Sequence, residues 1–121
     1  MTAEIRRVMV IGAGTMGAGI AEVCARAGLA TFLSDVDRET IAQGMDRIHA
    51  SLTQAIEKEK ITSADAEMTV KRIDIATDYE PARGADLIIE AVFESMPLKK
   101  EILGEFSKIA RDAILASNTS S

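Results

Sequence analysis

The sequence predicts an α/β fold, a doubly wound parallel sheet with helices on both faces, and three observations carry that prediction. Short, uninterrupted apolar runs alternate with longer stretches of helical period. The first two runs end in Gly12 and Asp35, residues that stop a strand rather than continue it. The interval from Arg38 to Arg72 is longer than one crossover helix requires. The 121 residues fit a single domain of the usual size, roughly 100 to 150 residues.

Val8-Met9-Val10-Ile11 reads as a first strand buried on both faces, because no polar residue interrupts it. From Thr15 to Ala27 the small residues Gly17, Ala21 and Cys24 recur at helical spacing, and Gly28 is placed to cap that helix. A second strand runs from about Ala30 to Ser34. Beyond it, Ile41, Met45, Ile48, Leu52 and Ile56 trace one stripe of a long amphipathic helix that closes in the charged stretch Glu57 to Lys60. Ser63 opens another helix to about Arg72, so the spacing predicts a helical hairpin. Ile73, Ile75 and Thr77 alternate with polar or small residues in a third strand, and Leu87-Ile88-Ile89 form a fourth of the buried kind. Pro97 begins a helix with Leu98, Ile102, Phe106 and Ile109 on one side. Ala113 to Ala116 form a fifth strand, and the expected strand order is 3-2-1-4-5.

Apolar residues make up 47% of the chain and charged residues 27%, enough to build a core and too few charges for a disordered chain. The net charge of −5 has the wrong sign for a phosphate backbone or an anionic membrane, so neither nucleic acid nor membrane is an expected partner. The apolar run near the start is far shorter than a signal or spanning segment. Cys24 is the only cysteine and can form neither an internal disulfide nor a zinc cluster, which suits a reducing, cytoplasmic setting. No metal site is expected.

Gly12-Ala13-Gly14-Thr15-Met16-Gly17 matches GxGxxG, which is weak evidence by itself and strong in this context. It follows a strand and opens a helix, and Asp35 ends the next strand twenty-three positions after Gly12. This is the dinucleotide-binding arrangement of Rossmann-type sheets. Gly12 permits the tight turn, Gly14 lets a pyrophosphate approach the backbone, and Gly17 lets the helix lie close to the sheet. The helix N-terminus offers N–H groups and partial positive charge to the phosphates. Asp35 can accept hydrogen bonds from the adenosine ribose hydroxyls and would repel a 2′-phosphate, so NAD is expected over NADP even with Arg38 nearby.

Together with this loop, the phrase from Ile89 to Glu101 and the closing Ala116-Ser117-Asn118-Thr119-Ser120-Ser121 resemble the NAD-binding domain of 3-hydroxyacyl-CoA dehydrogenases, the short-chain 3-hydroxybutyryl-CoA branch in particular. The resemblance covers nearly the whole chain. It implies oxidation of the C3 hydroxyl of an (S)-3-hydroxyacyl-CoA with NAD, in fatty-acid or short-chain acyl-CoA metabolism. Residue by residue, it assigns Gly12, Ala13, Gly14, Thr15, Met16, Gly17 and Asp35 to the cofactor, with Glu94 and Lys99 from the loop after the fourth strand. It places Ser120 against the substrate oxygen with Asn118 in the same turn. Ser51 and Lys58 fall where the family's helical hairpin touches CoA; they are seven positions apart and so share one helix face beside the apolar stripe.

The family's catalytic histidine and its partner glutamate lie downstream of that closing turn. Residues 1–121 are therefore expected to be an incomplete Rossmann domain, truncated before its end, with the helical C-terminal domain and its homodimer contact outside this chain. Alone, it would lack the general base and be inactive. His49, the only histidine, borders the helical stripe and reads as a surface or edge-packed residue. Cys24 reads as a small core residue rather than a nucleophile. Two alternatives share the nucleotide fold: another NAD-dependent hydroxy-acid dehydrogenase, and a non-catalytic nucleotide-binding or structural relative.

Overall fold

The computed structural model describes residues 5–91 and the backbone of residues 114–117. Five strands, β1 (Arg7–Ile11), β2 (Ala30–Ser34), β3 (Ile73–Ala76), β4 (Leu87–Glu90) and β5 (Ile114–Ser117), form one sheet in the order β3-β2-β1-β4-β5. Every pairing is parallel, as the alternation of strands and helices demands. The helices are α1 (Thr15–Arg26), α2 (Arg38–Glu57) and α3 (Ser63–Lys71). A short 3₁₀ turn at Glu80–Gly84, opened by Pro81 and absent from the sequence-based expectation, leads into β4. The expected helix from Pro97 lies outside the described residues.

The central strand explains why its sequence carries no alternation. Val8, Met9 and Val10 have no exposed surface, because both faces of β1 are covered. Val8 and Val10 pack with Ala18, Ala21, Ala25, Leu33, Ile41, Ile48 and Leu52 under α1 and α2. Met9 and Ile11 point the other way, into a second core with Ile88 and Ala82. Each such side chain contributes about 1.5 to 3 kcal/mol by leaving water, so β1 anchors both layers. On the edge strand the pattern relaxes: Ile73 is buried, whereas Ile75 is 59% exposed and lines an open groove beside α2.

The hairpin is defined by its ends. Asp37 caps α2 by accepting from the Glu39 amide at 3.1 Å and from the Thr40 hydroxyl at 2.7 Å. At the other end Glu59 takes a left-handed φ of 57°, and the Glu59 and Lys60 amides donate back to Ile56 and Ala55, the Schellman closure. A reciprocal capping box between Thr62 and Asp65 starts α3 at once. These bonds hold the Asp65 carboxyl below the usual carboxylate range. Arg72 returns to the body of the domain, donating from Nη1 to the Ala25 carbonyl at 3.0 Å. No helix among the described residues is long and apolar enough to cross a membrane.

The start of the sheet is pinned by one carboxylate. Asp86 Oδ2 accepts from the Arg6 and Arg7 amides at 2.9 and 3.0 Å, and these bonds, aided by the two guanidinium charges, lower its pKa. A depressed carboxyl pKa stabilises the fold above the unfolded value and ceases to do so as pH falls through the folded one. Asp86→Asn should therefore lower the melting temperature at neutral pH. The gap to wild type should close in acid, below the ordinary aspartate pKa of about 3.9. Thermal unfolding of both proteins across that range checks it, and a gap independent of pH would contradict it.

Candidate functional site

The site is built where β1 ends. Gly12 has a φ of 101°, a conformation that only glycine adopts without strain, and this turns the chain away from the sheet toward α1. The Gly12 amide donates to the Ser34 carbonyl at 2.8 Å, and the Ser34 hydroxyl, itself buried, donates to the Val10 carbonyl at 2.8 Å. The ends of β1 and β2 are thus tied twice over. The turn is set by β2 as much as by its own glycines.

Gly17 determines how α1 leaves that turn. A Cβ there would stand 1.6 Å from the Gly12 carbonyl oxygen, so no other residue fits without displacing the loop or the helix. Gly14 is the opposite case: a Cβ there meets nothing within 4 Å. Its lack of a side chain is unused by the fold and leaves open space beside the loop backbone, the cradle that a pyrophosphate needs. Gly14 is also the N-cap of α1, and the first turn carries no acidic residue, so no side-chain charge on that turn opposes an anion. The glycine pattern fits a dinucleotide on these grounds.

Asp35 follows β2 and faces the loop. Its Oδ2 accepts from the Ala13 amide and its Oδ1 from the Asp37 amide, both at 3.0 Å. Each carboxylate oxygen offers two lone-pair directions, so two remain for ribose hydroxyls. The residue therefore holds the loop as well as offering a ligand group, a second task that the motif does not reveal.

The hairpin residues are placed differently. Ser51, on α2, donates its hydroxyl to Glu22 Oε2 on α1 at 2.9 Å, and Arg26 approaches the same oxygen at 3.5 Å. Glu22 is only 8% exposed and joins α1 to α2. Its pairing with Arg26, four residues on, is local, but its bond to Ser51, twenty-nine residues away, has no mark in the local sequence. The Ser51 proton is engaged, leaving its oxygen to accept. Lys58 is the C-cap of α2, one residue beyond the last helical turn, and exposed. His49 is exposed on the rim of an apolar groove between α2 and α3. Cys24 is half-buried against the main core, and burial raises its thiol pKa, as suits a packing residue. Glu94, Lys99, Asn118 and Ser120 lie outside the described residues.

The chain from residue 7 to residue 121 matches the family model described as 3-hydroxyacyl-CoA dehydrogenase, NAD binding domain. It is 40% identical to a 3-hydroxybutyryl-CoA dehydrogenase of Mycobacterium tuberculosis, over 100% of this chain and 43% of that protein. It is 38% identical to the 3-hydroxyadipyl-CoA dehydrogenase of Escherichia coli, over 100% of this chain and 26% of that one. The crystal structure of (S)-3-hydroxybutyryl-CoA dehydrogenase from Ralstonia eutropha superposes with a TM-score of 0.92 at 40% identity, covering 98% of this chain and 42% of that one. The chain thus spans less than half the length of these relatives.

The two glycines make opposite demands, and stability separates them. Gly17→Ala forces a backbone clash and should lose about 1 to 3 kcal/mol, the range of core overpacking. Gly14→Ala, with open space around it, should unfold close to wild type. Urea denaturation of the pair tests this, and a Gly17→Ala protein as stable as wild type would contradict the contact.

Proposed function

The chain belongs to the 3-hydroxyacyl-CoA dehydrogenase family, as its NAD-binding domain, and on that premise we propose that the full-length protein oxidises (S)-3-hydroxyacyl-CoA to 3-oxoacyl-CoA. This chain holds the NAD. The observation that carries the reading is the loop from Gly12 to Gly17, closed by Gly17 against the fold and open at Gly14, with Asp35 bonded across it. Bound NAD supplies the acceptor for the hydride that leaves C3.

The chain's own residues bind and orient. Amides from Gly14 through Met16, at the positive end of α1, face the pyrophosphate, and the free lone pairs of Asp35 take the adenosine ribose hydroxyls. That carboxylate sets NAD above NADP by opposing a 2′-phosphate. Glu94 and Lys99, from the segment after β4, are assigned to the cofactor, while Ser120, just past β5 in the chain, is assigned to the substrate oxygen with Asn118 in the same turn. Both segments follow the carboxyl ends of strands in the chain, where open parallel sheets bind their ligands. Ser51 and Lys58 contact the CoA, the lysine through its phosphates. The parent protein is a cytoplasmic homodimer serving fatty-acid or short-chain acyl-CoA metabolism.

The test joins binding to turnover in the full-length protein. NADH formation with (S)-3-hydroxybutyryl-CoA is expected, with NAD bound more tightly than NADP. Asp35→Ala should weaken NAD binding by about 1 to 3 kcal/mol, the scale of lost hydrogen bonds to a charged group. Calorimetry with both cofactors and an absorbance assay give the readouts. Equal binding of NADP would remove the role given to Asp35, and NAD binding without turnover on acyl-CoA would favour the non-catalytic alternative.

A further inference from the structure

A glycine outside the motif presses on the same loop. Gly44 lies in the middle of α2 and is buried. Glycine is the poorest non-proline residue for a helix interior, so its presence there has a reason other than helix formation. A Cβ at Gly44 would stand 2.6 Å from the Ala13 carbonyl oxygen, 3.5 Å from the Ala13 Cβ and 3.4 Å from the Leu33 side chain. The leucine can turn aside. The carbonyl belongs to backbone and cannot move without moving the loop.

We propose that Gly44 is a positioning residue for NAD, its missing side chain letting α2 buttress the Ala13 carbonyl and so fix the orientation of the Gly14 amide. The inference rests on reading residues 12 to 17 as the pyrophosphate cradle. The Ala13 carbonyl and the Gly14 N–H are two ends of one rigid peptide plane, so a push on the oxygen tilts the donor that approaches the phosphates. The other groups of the turn are already committed. The Gly12 amide is bonded to Ser34 and the Ala13 amide to Asp35, while Gly17 closes on the Gly12 carbonyl. Gly44 adds a restraint from a helix that the dinucleotide motif does not include.

The effect should fall on phosphate-bearing ligands. In the full-length protein, Gly44→Ala should weaken ADP and NAD binding by about tenfold or more, the scale expected when a binding group is displaced by a fraction of an ångström. Adenosine, which lacks the pyrophosphate, should bind as to wild type. Gly19→Ala is the control, because Gly19 is in α1 with nothing near its Cβ, and it should leave all three affinities unchanged. A folded Gly44→Ala protein with unaltered ADP affinity would overturn the proposal, as would an equal loss for adenosine and ADP. Should Gly44→Ala fail to fold, NMR of wild-type protein carrying labelled glycine decides. A shift of the Gly44 α-proton resonance on adding ADP and not adenosine supports the contact, and no shift with either refutes it. Failure of the wild type to bind ADP would instead overturn the cofactor reading, and the proposal with it.

Discussion

The structure depends on the contact between Gly17 and the Gly12 carbonyl. With no side chain at Gly17, α1 closes onto the loop backbone at this point. That approach seats Ala18, Ala21 and Ala25 against Val8, Val10 and Leu33 in one core. It also brings the first turn of α1 to the carboxyl end of the sheet, where the Asp35 carboxylate bonds the Ala13 amide. Core packing and the path of the loop therefore share this steric condition.

Much of this was legible in the sequence because it is local. The Val8-to-Ile11 run implied a strand covered on both faces, and the burial of all three leading residues agrees. The stripe of Ile41, Met45, Ile48, Leu52 and Ile56 marked the inner face of α2; Ile41, Ile48 and Leu52 are buried, and Met45 and Ile56 are partly buried against the same core. The strand order expected from alternation is the order in the sheet. The family resemblance rested on motifs of fixed spacing, and the family match covers residues 7–121.

What was not legible involves partners remote in sequence or backbone groups without a residue signature. Glu22 is an unremarkable helical acid until α2 brings Ser51 to it. The sequence spacing of Asp35 from the loop led to its expected role toward the ribose, whereas its hold on the Ala13 and Asp37 amides needs the fold. The 3₁₀ turn at Glu80–Gly84 lacks the length for a periodic signal. Ile75 follows the strand alternation yet stays exposed, because alternation assigns a face and not the extent of what covers it.

The bonds of the Gly12 and Ala13 amides shape the loop before the cofactor arrives. Amide hydrogen exchange of the full-length protein without NAD tests this most directly. Preorganisation predicts that the Gly12 and Ala13 amides, bonded to the Ser34 carbonyl and the Asp35 carboxylate, exchange about as slowly as the amides of β1, with little added protection when NAD is supplied. Rapid exchange at both positions in the free protein, suppressed only by NAD, would mean that the cofactor orders the loop and would contradict the account.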